Sequence, residues 1–147
     1  MQFTPSNKLS PKQLEAYQLM MNAFKDVRFY NWFLKASFTE LGDRNIPNGK
    51  LFDQYLGGTS EYAFKWYIVK RPWYKRFSPV VGQTTGSQIT TYTQIFDNMT
   101  PAERAGHLAH ELMHVAGFSH SFNSSITRDN SLPYQVGNII EGLVKSL

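Results

Sequence analysis

An α+β fold is predicted by three features of this 147-residue chain. Two stretches carry complete helix-start signals, a terminal stretch has apolar residues at helical spacing, and two short runs between them are rich in aromatic and β-branched residues. Both periodicities within so short a chain point to one domain, residues 1–147, in which helices and strands share a core. Hydrophobic residues are 41% of the chain and charged residues 18%, which excludes a disordered polymer. Aromatic residues reach 15%, and large rings bury much area per residue, which helps a small domain close its core.

The first helix opens at Ser10-Pro11-Lys12-Gln13, with Ser10 as N-cap, Pro11 at the first helical position and Gln13 closing a capping box. Leu14, Tyr17, Met20, Met21 and Phe24 recur at helical spacing, so it runs to about Lys25. Residues Val27 to Phe38 fit a helix by spacing and a strand by ring content, and periodicity does not arbitrate. Gly42 to Gly49 reads as a surface loop, and Leu51 to Leu56 as a short helix stopped by Gly57 and Gly58.

Tyr62 to Lys70 is a predicted strand with Phe64, Trp66 and Ile68 on one face, ended by Pro72. Ser78 to Gly86 reads as a loop, and Gln88 to Phe96 as a threonine-rich strand. Either strand at a sheet edge would hold an extended peptide by β-augmentation, and the pattern does not say which is the edge. The second capped helix starts at Thr100-Pro101-Ala102-Glu103 and buries Ala105, Leu108, Ala109, Leu112 and Val115. Ser121 to Asn130 is a polar loop. Beyond it Val136, Ile139, Ile140, Leu143, Val144 and Leu147 give a last helix a broad apolar face, expected beneath whatever the second capped helix carries.

The chain has no cysteine, which excludes disulfides, thiolate-ligated metal, a thiol nucleophile and latency by a cysteine switch. No run approaches the roughly 20 apolar residues of a membrane span, and the first thirteen residues lack the charged start and apolar core of a signal peptide. A net charge of +4 favours acidic partners without deciding among them. Lys65, Lys70, Arg71, Lys75 and Arg76 interleave with Trp66, Tyr67, Trp73, Tyr74 and Phe77, a mixture that suits nucleic acid but accompanies no nucleic-acid motif. A strand with one solvated face explains it more simply. Trp73 and Tyr74 bordering a substrate cleft is a third account.

The second capped helix carries the chemistry: His110-Glu111-Leu112-Met113-His114-Val115-Ala116-Gly117-Phe118-Ser119-His120 reads HExxHxxGxxH. Side chains four apart on a helix stand one turn above each other, about 40° apart, so His110 and His114 can converge on one ion. Glu111 lies about 100° round from His110, near enough to touch a bound water as general base without being a ligand. Gly117 can take the left-handed conformation that ends the helix, and the reversal returns His120 as third ligand. Three neutral imidazoles and an open fourth position describe a catalytic Zn2+ site. From this chain's own frequencies the five fixed residues match by chance about once in a hundred thousand such chains.

These eleven residues resemble the metzincin class of zinc metallopeptidases. The resemblance implies a zincin-like domain with a small mixed sheet above the active helix, a cleft beneath one sheet edge, and hydrolysis of peptide bonds by a metal-bound water with Glu111 as base. His110, His114 and His120 would be the ligands, and a peptide or protein the substrate. Metzincins place a methionine turn below the metal, after the third histidine; here no methionine follows Met113. Tyr134, at the start of the last helix, is expected to donate its hydroxyl to the developing oxyanion, since several metzincins have a tyrosine after that turn; a half-buried helix-start tyrosine is the plainer account. Glu141 and Asp129 are alternative third ligands, and His107, one turn before His110, is expected to support the ligands or to be merely polar surface rather than to ligate. A monomer is expected, secreted or periplasmic because unrestrained proteolysis is hazardous in a cytosol. The competing functions are a non-catalytic metal-containing binding protein, against which an intact Glu111 speaks, and a basic nucleic-acid module.

Overall fold

The computed structural model describes residues 1–73 and 81–147. Among them β1 (Gln2–Pro5), β2 (Glu61–Val69), β3 (Gly82–Thr85) and β4 (Gln88–Tyr92) form one mixed sheet in the order β1-β2-β4-β3. β1, β2 and β4 run parallel, and β3 returns antiparallel beside β4. Seven helices accompany them: α1 (Pro11–Lys25), α2 (Val27–Lys35), α3 (Asn48–Tyr55), α4 (Thr93–Asn98), α5 (Pro101–Val115), α6 (Ile126–Asp129) and α7 (Leu132–Lys145). None of the described helices is long and apolar enough to cross a membrane.

Both predicted capping boxes are present. Ser10 Oγ accepts from Gln13 N at 3.3 Å while Gln13 Oε1 accepts from Ser10 N, and Thr100 and Glu103 repeat the exchange at the head of α5. Each replaces backbone hydrogen bonds that a helix start otherwise lacks, so both starts are set by local chemistry. Gln13 goes further, donating Nε2 to the Trp66 carbonyl at 2.9 Å and tying α1 to β2.

Residues 27–38, open on sequence, contain α2. Asp26 Oδ1 accepts from Arg28 N at 2.9 Å as an N-cap, and helical spacing then buries Phe29 and Phe33 together. The rings that suggested a strand instead make an aromatic core: Phe24 meets Phe29 edge-on at 5.0 Å, Phe29 meets Phe33 at 6.1 Å, and Phe33 meets Phe52 at 5.3 Å. Each fully buried ring contributes about 1.5–3 kcal/mol relative to exposure.

Several boundaries differ from expectation, among them the start of α3, at Asn48 inside the predicted loop Gly42 to Gly49. The predicted strand Gln88 to Phe96 ends at Tyr92, and Thr93 begins α4, which swings Phe96 onto Trp66 with ring centroids 5.6 Å apart. The predicted loop Ser78 to Gly86 holds β3, whose polar residues show no apolar period. β3 exists because Gly86, at φ 60, starts a two-residue turn that folds Thr85 back against Gln88. Neither predicted strand is an edge: β2 and β4 are interior, and β3 is an outer strand. Within the polar loop Ser121 to Asn130, Ser125 caps the short helix α6.

α5 lies between the sheet, α1 and α7, with Ala105, Leu108, Ala109, Leu112 and Met113 buried. Its closest neighbour is α7, and glycine is what lets them approach. A methyl group on Gly106 would stand 2.7 Å from the Gly137 carbonyl oxygen, and one on Gly137 would stand 3.0 Å from that of Gly106. Backbone meets backbone, and α7 is carried under His110.

Candidate metal centre

His110 and His114 project from one face of α5 as their spacing dictates, and His120 reaches them from beyond the helix end. The bend has two hydrogen bonds of a Schellman turn, Gly117 N to the His114 carbonyl and Phe118 N to the Met113 carbonyl, both 2.9 Å. Gly117 adopts φ 98, a left-handed conformation costly for any residue with a Cβ. Space imposes the same choice, because a side chain at Gly117 would run into the Arg44 guanidinium.

Arg44 is a member of the site that sequence reasoning missed. Its Nη1 donates to the Ala116 carbonyl at 3.2 Å, and its Cζ sits 4.4 Å from the Tyr55 ring centroid and 4.8 Å from that of Phe118. A cation held between two aromatic faces at the carbonyl end of a helix meets the quadrupoles and the helix dipole together. Glu40 is the second missed member. Its carboxylate accepts from Ser121 N at 3.1 Å, and its φ of 57 is the only positive one at a described non-glycine residue. Neither had a signal in the sequence beyond lying in or next to a turn-rich segment.

Three ligand atoms, one from each of His110, His114 and His120, lie within 4.8 Å of one another. The His120 Nε2 is 3.2 Å from both the His114 and His110 Nε2 atoms. Tetrahedral coordination at about 2.0–2.1 Å separates two donor nitrogens by about 3.3–3.4 Å, so the spacing fits a small first-row ion. Protonation fits as well. His114 Nδ1 lies 2.7 Å from the Phe118 carbonyl and His120 Nδ1 lies 2.9 Å from the Ser121 carbonyl; a carbonyl only accepts, so both Nδ1 atoms carry the proton. Their Nε2 lone pairs therefore face each other with no hydrogen between them, an arrangement that a cation relieves. Burial, with the neighbouring imidazoles and Arg128 adding to it, pushes the His110 pKa down to about 2. Burial also lowers His114. His110 and His114 are then in the neutral form that ligands need.

Glu111 is buried, 6% exposed, beside the triad. Its Oε2 accepts from the Thr84 hydroxyl at 2.6 Å, so outer strand β3 holds one carboxylate oxygen of a residue that lines the cleft. Thr84 fell within the predicted loop and was also missed. His107 stands apart from the triad, as expected. Trp66 Nε1 donates to Thr91 Oγ1 at 3.0 Å and that hydroxyl lies 2.8 Å from His107 Nε2, a chain that anchors α5 to β2 and β4 one turn before Glu111. Burial lowers the His107 pKa.

Tyr134 lies under the cluster, its ring centroid 4.5 Å from that of His110 and 4.7 Å from that of His120. Glu141 lies outside the triad, its carboxylate 3.6 Å from Lys145 Nζ, and Asp129 is likewise absent from the triad. A cleft of about 1150 Å³ runs past the histidines between β3 above and the head of α7 below. That exceeds the roughly 300–1,000 Å³ of small-molecule pockets, and suits a longer ligand.

The chain matches no family model, no curated protein and no solved structure. The metzincin resemblance therefore rests on the eleven motif residues and on the site they form. Of the basic aromatic stretch, Trp66 is fully buried, Arg71 lies over the Tyr92 ring with Cζ 5.5 Å from its centroid, and Tyr67 and Trp73 are exposed. Lys75, Arg76, Tyr74 and Phe77 lie outside the described residues.

Proposed function

We propose that this chain is a zinc-dependent endopeptidase of metzincin type, in which the head of α7 takes the place of the methionine turn. The observation that carries the proposal is the buried Glu111 carboxylate beside three imidazoles whose Nε2 atoms converge in an open cleft. Three neutral nitrogens suit zinc among the common hydrolytic metals. When bound, zinc lowers the pKa of a coordinated water towards about 7 and polarises a carbonyl.

The residues divide the remaining work. An extended peptide lies along β3, whose outer edge pairs with no described strand. Glu111, steadied by Thr84 through Oε2, takes a proton from the attacking water as the new C–O bond forms, then delivers it to the amide nitrogen as the C–N bond breaks. Tyr134 closes the floor with its ring and donates its hydroxyl to the oxyanion. A secreted or periplasmic setting belongs to the same proposal.

Glu111→Gln tests it. The variant is expected to keep one zinc per chain by metal analysis while peptide-library cleavage falls by about 10²–10⁴-fold. Undiminished cleavage would reject Glu111 as base, and the absence of zinc from wild type would reject the metal. Tyr134→Phe keeps the ring and removes the hydroxyl, so kcat should drop by about 10²–10³ with little change in zinc content. An unchanged kcat would confine Tyr134 to the floor.

A further inference from the structure

Arg128 is a charged residue of the cleft that the hydrolytic scheme does not use. It arrives on α6, its guanidinium carbon 4.9 Å from the Tyr134 ring centroid, and Tyr134 in turn touches His110 and His120. Only 20% of the side chain is exposed. Nη1 donates to the Phe122 carbonyl at 3.3 Å and Nη2 to Ser124 Oγ at 3.0 Å, which fixes the plane of the group; Nε is enclosed and makes no hydrogen bond. Each terminal nitrogen has a second N–H beyond those bonds. Asp129, the nearest acid, is 3.7 Å away and 65% exposed, so it screens the charge weakly.

A half-buried cation one ring's width from a site built for another cation is electrostatically unfavourable, since like charges repel more strongly away from water. An anion brought by the ligand would offset it. We propose that Arg128 is the specificity-determining residue of the cleft and receives a substrate carboxylate, from an Asp or Glu side chain or from a free C-terminus, one or two residues from the scissile bond. This rests on the peptidase function proposed above. The rest of the cleft is consistent with a single position for that carboxylate. Glu103, on the N-terminal half of α5, and Glu141, on α7 against Gly106, line it and would repel an acid there. A planar guanidinium over an aromatic ring pairs with carboxylate in a way that an ammonium does not.

The test separates binding from turnover. Immobilised Glu111→Gln, loaded with zinc, is offered a proteome-derived peptide library in three forms: untreated, amidated at C-termini only, and amidated at all carboxylates. The retained peptides are identified by mass spectrometry and compared with those kept by the double variant Glu111→Gln/Arg128→Gln. Expected is retention about tenfold to a hundredfold stronger for peptides with a carboxylate at one fixed position, lost in the double variant and in the fully amidated library. Loss already on C-terminal amidation identifies the chain terminus as the source; survival there identifies Asp or Glu side chains. Ser124→Ala, which loosens the strap and leaves the charge, should keep the preference, and Arg128→Lys should weaken it.

Equal retention by the two variants, with zinc content and melting temperature matched, overturns the assignment. Cleavage by wild type without any carboxylate bias overturns it too, and leaves the peptidase function standing. Carboxylate-dependent retention with no cleavage by wild type does the reverse.

Discussion

His110 and His114 are held by the middle of a capped helix, whereas His120 is held by a bend and a loop, and the two halves of the triad depend on the chain in different ways. The helix half is local. Thr100, Pro101 and Glu103 start α5, the apolar stripe buries it, and residues four apart meet by helix geometry alone. The loop half is assembled from a distance. Arg44 reaches across 72 residues to the Ala116 carbonyl, and Glu40 across 81 to Ser121 N. A motif written as eleven consecutive letters is thus two structures, one autonomous and one dependent on residues 40–44.

Substitutions at the bend should separate the halves most clearly. Gly117→Ala adds a methyl to a left-handed residue, at about 1–3 kcal/mol, and drives it into Arg44. Zinc affinity by chelator competition should fall about tenfold to a hundredfold while helix content by circular dichroism is preserved. Unaltered affinity would mean that His120 finds the ion without this turn. Arg44→Ala, which leaves the Ala116 carbonyl unpaired and separates Tyr55 from Phe118, should cost about tenfold in zinc affinity. Hydrogen exchange should rise over residues 116–122 and not over α5; a rise spread evenly over both would show that the halves are one unit. The smallest effect is expected at the other end. Thr100→Ala loses the cap, at about 1 kcal/mol. For a chain of this size that lowers the melting temperature by about 2–4 °C, with zinc affinity unchanged. A matching loss of zinc would erase the distinction.

The same division explains what could be learned before the structure. The capping boxes, the apolar stripe of α5, the course of α7 and the return at Gly117 were legible because each rests on residues within a turn or two of one another. β3 was not, since Gly82, Gln83, Thr84 and Thr85 have no apolar period and are a strand only by pairing with β4. Thr93 to Phe96 resembled a strand because threonine and isoleucine favour one, but packing Phe96 on Trp66 overrode propensity. Thr84, Arg44 and Glu40 were overlooked for a shared reason: each acts through a partner that the fold, not its sequence neighbours, supplies. Sequence reasoning points to the Tyr134 hydroxyl, and the structure adds the contact of its ring with two imidazoles.

The glycine crossing of α5 and α7 has a mechanical corollary. With no side chains between Gly106 and Gly137 to compress or rearrange, the two helices act as the fixed jaw of a caliper. The aperture then changes more readily at the opposite jaw, where β3 carries the threonine that grips Glu111. Any ligand wide enough to displace that strand would disturb the Glu111 carboxylate along with it, coupling what the cleft admits to how that carboxylate is held.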